Sequence, residues 1–180
     1  MATKRKTAVQ KRDLTPEPYV DVVTEMKMKS YPVGRMLIAS PIEIGKIVRR
    51  IPEGSVLSLL QLREMLARKF HADYTCPMTT GIFLRILAEA AEEEGDTTDC
   101  PYWRVVRADG RLIDKLPGGD AGQAKRLGRE GVACRAVGKS GWKLEQRFLK
   151  VRVAPASARL FAAVSVLSSA SGILAKFHGA

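Results

Sequence analysis

The stretch that decides the fold is residues 58–95, SLLQLREMLARKFHADYTCPMTTGIFLRILAEAAEEEG. Ser58 is a typical N-cap, and the apolar spacing after it predicts a helix over residues 59–70. A second, longer helix is predicted over residues 79–94, and Gly95 is placed to end it. Two helices joined by a short connection predict a helix-turn-helix, a motif that also occurs in many proteins that never bind DNA.

Shorter elements lie on both sides of this helical pair. Ser40-Pro41 predicts the start of a helix that ends at Arg49-Arg50. Downstream, the pattern predicts an extended segment over 102–106, a short helix over 123–130, and a hairpin of 133–137 with 142–153. We therefore expect an α+β class that is mainly α, namely a winged-helix-like helix-turn-helix domain with a short C-terminal hairpin, over residues 31–153.

Both ends of the chain differ in composition from this domain. Residues 1–30 begin with five basic residues and no acid among the first twelve, which predicts a basic, flexible arm. Residues 154–180 are apolar, with an uncharged run over 160–175. That run is shorter than the ~20 residues that span a membrane. We expect it to be a helix or tail that docks on the domain or on a partner protein, and we expect no membrane association.

The charge balance points to an anionic partner. Among 180 residues, 30 Lys and Arg oppose 19 Asp and Glu, which gives a net charge of +11 and a pI near 9.9. Such an excess favours nucleic acid first, and double-stranded DNA is the partner expected here. A basic face that is only solvated is the alternative.

Cysteine and histidine are too sparse for a metal site or a disulfide framework. The chain has three cysteines, widely spaced, and two histidines. We therefore expect no metal and no cofactor. A reducing, intracellular location follows from the same cysteine pattern, in the cytoplasm or nucleoid or in a nucleus.

A more specific signal begins at Pro101. Residues 101–106 read PYWRVV, and residues 51–58 read IPEGSVLS. Paired motifs follow the first block at Asp109-Gly110, Gly118-Gly119 and Glu130-Gly131. In this order and spacing the blocks resemble the alkylguanine-DNA alkyltransferases, the methylated-DNA cysteine methyltransferases, whose members read PCHRVV at the first block. The resemblance covers roughly residues 40–148, and it is closest to the non-catalytic alkyltransferase-like branch.

The resemblance implies a DNA-repair domain that contacts the minor groove of DNA through its second helix and rotates a damaged guanine into a pocket. There the family's cysteine accepts the alkyl group. In this chain Tyr102 stands in the cysteine position and Trp103 in the histidine position, so no thiolate and no activating base are expected. Glu130 matches the glutamate that orients the family's histidine. Without that histidine we expect Glu130 to be a cap or a salt-bridge partner.

The resemblance, carried over position by position, and the distribution of basic residues together define two groups of candidate site residues. The candidate DNA contacts are Met78, Thr79, Thr80, Arg85, Arg104, Arg107, Lys125 and Arg129. The candidate pocket residues are Leu59, Tyr102, Trp103 and Val105. Leu59 stands where the family has the tyrosine that turns the nucleotide out, and Met78 stands near its arginine finger.

Three functions remain open at this stage. The first is a non-enzymatic DNA-binding protein that resembles the alkyltransferase-like repair proteins. The second is a protein-interaction module that keeps the scaffold and has lost DNA binding. The third is a methyltransferase that uses Cys100, which lies two positions before the family's cysteine and beside Asp99.

Overall fold

A computed structural model of the chain describes residues 5–25, 30–95, 97, 99–138 and 141–145. The C-terminal segment expected over 154–180 lies outside the described residues, as does the part of the expected hairpin beyond residue 145. The helices are α1 (Ala8–Asp13), α2 (Pro41–Val48), α3 (Leu59–Lys69), α4 (Pro77–Glu94) and α5 (Gly119–Arg129). The strands are β1 (Tyr19–Val23), β2 (Gly34–Ile38), β3 (Leu57–Ser58), β4 (Tyr74–Thr75), β5 (Val105–Val106), β6 (Cys134–Ala136) and β7 (Trp142–Leu144).

These elements form the expected α+β fold, with helices as the larger part. The predicted helical pair is present as α3 and α4, joined through the short strand β4. Ser58 caps α3 by accepting the backbone N–H of Gln61 at 3.2 Å, and the Gln61 side chain accepts the Ser58 N–H at 3.0 Å. Gly95 ends α4 in the left-handed region, with φ of 69°. The local sequence therefore specifies where α3 begins and where α4 ends.

The helix α4 differs from its prediction at its start. It begins at Pro77, two residues earlier than expected, because proline lacks the N–H that the first turn leaves unpaired. Its buried side consists of Leu84, Leu87 and the alanines, whereas Ile82 is 50% exposed. The outer face of α4 therefore carries a large apolar residue that the fold does not use.

Three small sheets hold the helices together. In the first, β1 pairs antiparallel with β2, which pairs parallel with β4. In the second, β3 pairs parallel with β5, so that Leu57 lies beside Val105. In the third, β6 and β7 form the expected hairpin, with Arg135 opposite Lys143.

The segment expected to be extended over 102–106 is a strand only at its end. Tyr102–Arg104 forms a single 3-10 turn, and β5 follows at Val105–Val106. The cause is a buried side chain on α5. Gln123 is 1% exposed; its Nε2 donates to the carbonyl of Trp103 at 2.8 Å and to that of Val105 at 2.7 Å. Its Oε1 accepts the N–H of Ile113 at 2.7 Å, so the amide fixes the turn against α5.

The basic arm expected over residues 1–30 contains regular structure that the sequence analysis did not predict. Ala8–Asp13 forms α1, which packs on α4, and β1 belongs to the first sheet. The N–H groups of Ala8 and Val9 donate to the Glu93 carboxylate at 2.9 and 3.1 Å. Arg12 donates to both oxygens of Glu94, at 2.5 and 2.8 Å. The acidic end of α4 therefore holds α1, because it supplies carboxylates to the helix N-terminus and to its arginine.

Acid should release α1 from α4. The backbone N–H groups of Ala8 and Val9 hold the pKa of Glu93 below its ordinary value, so the carboxylate stabilises docking above that value, about 4.3 for glutamate. This contribution disappears as the pH falls from there through the lowered pKa. Amide NMR shifts of Ala8 and Val9, followed from pH 7 to pH 2.5, should therefore show a transition below pH 4.3. In Glu93→Gln that transition should be much smaller, and shifts that stay constant in the unsubstituted protein would contradict the assignment.

Candidate nucleic-acid interface

Glu130, just after α5, joins the three sequence blocks that carry the family resemblance. Its Oε1 accepts the indole N–H of Trp103 at 2.7 Å, and its Oε2 accepts Arg104 Nε at 2.9 Å. Its Oε2 also accepts the backbone N–H of Gly54 at 3.3 Å. The side chains of Arg104 and Glu130 are 14% and 8% exposed. Glu130 thus forms a salt bridge, as expected from the sequence, and it also orients the side chain in the histidine position, Trp103.

Arg104 completes this network on its other side. Its Nη1 donates to the carbonyl of Ile51 at 2.6 Å, and its Nη2 donates to Glu130 Oε1 at 3.0 Å. Three of the five N–H groups of the guanidinium are therefore bonded within the protein. The buried ion pair with Glu130 directs Arg104 into the fold, so the structure does not support the DNA contact predicted from the sequence.

The pocket position is filled by two aromatic rings and a guanidinium. Tyr102 is 1% exposed, and its ring meets that of Trp103 edge to face, with centroids 5.5 Å apart. The guanidinium carbon of Arg126 lies 5.4 Å from the Tyr102 centroid and 4.9 Å from the Trp103 centroid. Both distances are within the range of cation–π attraction. The rings and Arg126 therefore occupy the position that the sequence resemblance assigns to the pocket.

A second carboxylate holds this cluster from α4. Glu92 Oε1 accepts the Tyr102 hydroxyl at 2.5 Å and Arg126 Nη2 at 2.5 Å. Burial, and then the hydrogen bond to Glu92, raise the pKa of Tyr102 above its ordinary value. The phenol therefore stays protonated and acts as a donor rather than as a nucleophile.

The remaining pocket and nucleophile candidates are part of the packing. Val105 is fully buried in β5, and Leu59 is half-buried at the start of α3. Cys100 is 4% exposed, and its neighbour Asp99 accepts a hydrogen bond from Arg49 Nε at 2.7 Å. Within the described ranges, no group of His, Cys, Asp and Glu is arranged to hold a metal ion.

The candidate DNA contacts separate into exposed and buried side chains. Exposed are Met78, Arg85, Arg107, Lys125 and Arg129, and Thr79 is half-buried. Thr80 is fully buried, and its hydroxyl donates to the carbonyl of Cys76 at 2.7 Å, which removes it from any interface. This bond joins positions i and i−4 of a helix, so its spacing is visible in the sequence. The partner of Arg104 lies 26 residues away, and no local pattern shows it.

The exposed cations differ in how far they are neutralised. Arg85 pairs with Glu89 at 2.6 Å on α4, and Arg107 pairs with Asp114 at 2.6 Å. Lys125 and Arg129 lie one turn apart on α5, and neither makes an ion pair within the described part of the chain. The outward face of α5 therefore offers two cations to an anionic partner.

The sequence alone does not mark Glu92, Gln123 and Arg126 as site residues. Glu92 is one of the acids that end α4, and Arg126, in the last turn of α5, lies four positions before Glu130. Because Glu130 directly follows the helix, this spacing predicts that the side chains of Arg126 and Glu130 lie on the same side. Nothing local indicates that Glu92 meets both Tyr102 and Arg126.

None of the helices in the described residues is long and apolar enough to cross a membrane.

Comparison with known proteins gives no family assignment. No family model matches the chain, and no curated protein matches it significantly. A crystal structure of S. pombe Atl1, in complex with damaged DNA containing O6-carboxymethylguanine, is similar at 21% identity and a TM-score of 0.42, and covers 59% of this chain and 89% of that chain. A structure of S. pombe ATL in complex with DNA is similar at 18% identity and a TM-score of 0.36, with the same two coverages.

Replacing Glu130 should unfold the domain more readily than replacing an exposed carboxylate. Glu130→Gln leaves the guanidinium of Arg104 buried without a charged partner, so we expect the free energy of unfolding to fall by about 3 kcal/mol. The matched control is Glu89→Gln, which breaks the exposed pair with Arg85 and should cost less than about 1 kcal/mol. Urea denaturation measures both. Equal effects of the two substitutions would contradict the role assigned to Glu130.

Proposed function

We propose that this protein binds double-stranded DNA without catalysis and without taking a base into its pocket. The observation that carries the proposal is a row of cations across the hairpin. Arg135 on β6 lies directly opposite Lys143 on β7, and Lys143 in turn forms a β-bridge with Arg111. Directly opposite residues of antiparallel strands point to the same face, and like charges placed there destabilise the pairing.

A phosphate backbone bound along the row would remove the repulsion between these like charges. Of the three cations, Arg111 contacts an acid, Asp109, at 3.3 Å, and this pair is exposed on both sides. Phosphates that bind along the row release their counterions and neutralise the repulsion, which favours binding by a term that falls with salt. The hairpin therefore acts as the wing of the domain, with Lys125 and Arg129 of α5 as further phosphate contacts.

The outer face of α4 supplies the apolar part of the interface. Met78 is 60% exposed and Ile82 is 50% exposed, one turn apart, and Arg85 continues the same face. Gly81 lies beside them, and a Cβ there would have open space around it. A glycine inside an exposed helix costs roughly 1 kcal/mol relative to alanine, so its presence favours a face that is approached closely. We propose that this face contacts the minor groove, as the sequence resemblance implies.

The closed cluster supports the proposal that the protein acts without catalysis. A nucleophile needs an activating base within hydrogen-bond reach. Here the cysteine and histidine positions hold a protonated phenol and an indole, both with hydrogen-bond partners. Extruding a base costs a few kcal/mol, and a site that is already filled offers no stacking in return. The proposed role is thus docking on the duplex, as in a repair protein that marks DNA rather than one that modifies it.

A protein-interaction module remains the second candidate, because of one observation. The strand β1 has a single described neighbour in its sheet, and Tyr19, Val20 and Val22 are exposed on it. An exposed apolar edge strand is typical of protein–protein contacts.

Titration against two duplexes separates these functions. One duplex is plain and the other carries a single O6-alkylguanine, and each is titrated at two salt concentrations. We expect equal affinity for both, and a steep loss of affinity as salt rises. Tighter binding to the alkylated duplex would contradict the closed pocket. Absence of binding at low salt would contradict the DNA proposal and favour the interaction module.

The wing is tested by a double substitution, Arg135→Gln with Lys143→Gln. The slope of log affinity against log salt should become shallower by about 2, since about one unit is lost per phosphate contact. The free energy of unfolding should not fall, because two opposed like charges are removed. Arg68→Gln, on the exposed side of α3, is the control and should leave the slope unchanged. An unchanged slope in the double variant would contradict a wing contact.

A further inference from the structure

A groove lies where α1 packs against α4, beside the segment that leads into α5. Its volume is about 580 Å³, and it is open to solvent along one side. Four cations line it, namely Lys6, Lys11, Arg85 and Lys115, together with four acids, namely Glu89, Glu92, Glu93 and Asp114. The formal charges cancel, so the character of the groove depends on which of these charges have partners in the protein.

Each of the four acids is engaged by a group of the protein. Glu89 accepts Arg85 Nε at 2.6 Å, and Asp114 accepts Arg107 Nη2 at 2.6 Å. Glu92 accepts a guanidinium N–H of Arg126 and the hydroxyl of Tyr102. Both oxygens of Glu93 accept the first N–H groups of α1. Each of these carboxylates is therefore partly neutralised by a cation or by backbone N–H groups of the protein.

The three lysines are less engaged than the acids. Lys6, Lys11 and Lys115 are all exposed, and none makes a direct ion pair or a side-chain hydrogen bond with a described residue. Lys11 lies near enough to Glu93 to lower the pKa of that carboxylate, which leaves its ammonium group only partly neutralised. The three lysines come from three separate places in the chain, before α1, within α1 and before α5, and the fold brings them to one groove. Three ammonium groups that line one open groove create a positive potential that attracts anions.

We propose that this groove is a phosphate-binding site, in which Lys6, Lys11 and Lys115 hold a phosphate group. Lysine ammonium groups are compact point charges that bind phosphate oxygens without demanding a fixed planar geometry. Where the phosphate belongs to a duplex backbone, the proposal rests on the proposed function. In that case α1 extends the DNA interface beyond the wing and α4. A soluble phosphate-containing ligand is the other source of the same chemistry.

Two variants of the full chain make the test. In one the three lysines become glutamine, K6Q/K11Q/K115Q, and in the other they become arginine, K6R/K11R/K115R, which conserves the charge. All three side chains are exposed, so neither variant should lose more than about 0.5 kcal/mol of stability. Both are compared with the unsubstituted protein in two titrations, one with inorganic phosphate followed by amide NMR, and one with plain duplex DNA over a salt series.

With inorganic phosphate, we expect saturable amide shifts at residues 6–11, 85 and 115 in the unsubstituted protein. The apparent affinity for phosphate should fall at least tenfold in the glutamine variant and should be retained in the arginine variant. With DNA, the salt slope of the glutamine variant should be shallower by 2 to 3, about one unit per lost contact. Phosphate shifts with an unchanged DNA slope would support the site and assign it to a soluble phosphate ligand.

Absence of phosphate shifts at the groove, or shifts that persist in the glutamine variant, would overturn the proposal whatever the DNA titration shows. Failure of the unsubstituted protein to bind any duplex would overturn the proposed function instead, and the phosphate titration would still decide the groove.

Discussion

The ion pair between Arg104 and Glu130 is the contact on which the rest of the site depends. Glu130 stands at the end of α5, and Arg104 at the end of the turn that leads into β5. Through this pair, and through the bonds to Gly54 and Ile51, the loop before β3 is tied to both. Both partners of such a buried pair must be present, because either one alone would be an uncompensated buried charge. Trp103 is oriented by the same carboxylate, which closes the pocket.

This closure and the basic surface have different consequences. The aromatic cluster is packed against Arg126 and bonded to Glu92, and in the proposed function it leaves no room for an extruded base. Several cations of the hairpin, of α5 and of the groove are exposed. This combination of an exposed basic surface and a packed pocket position is the basis of the proposed function, in which the protein holds a duplex and does not alter it.

The features that the sequence predicts well are those specified by neighbouring residues. The Ser58 cap, the Gly95 terminus and the hairpin about residue 138 each depend on a few adjacent positions, and all are present. The docking of α1 was not predicted, because the carboxylate that receives it lies 85 residues away. The contacts of the site were not predicted for the same reason. Tyr102 and Trp103 were singled out by their positions, but their partners Glu92, Arg126 and Glu130 meet them only through the packing of α4 against the turn and α5.

The most direct test of the closed site is hydrogen exchange at the indole N–H of Trp103, measured by NMR in the free protein and in its complex with duplex DNA. Trp142 is the internal reference, since its indole N–H donates to no described residue. We expect the Trp103 proton to be strongly protected relative to that of Trp142, with the same protection when a plain or an alkylated duplex is bound. Rapid exchange at Trp103 in the free protein, or protection lost when an alkylated duplex binds, would contradict a site that Glu130 holds shut.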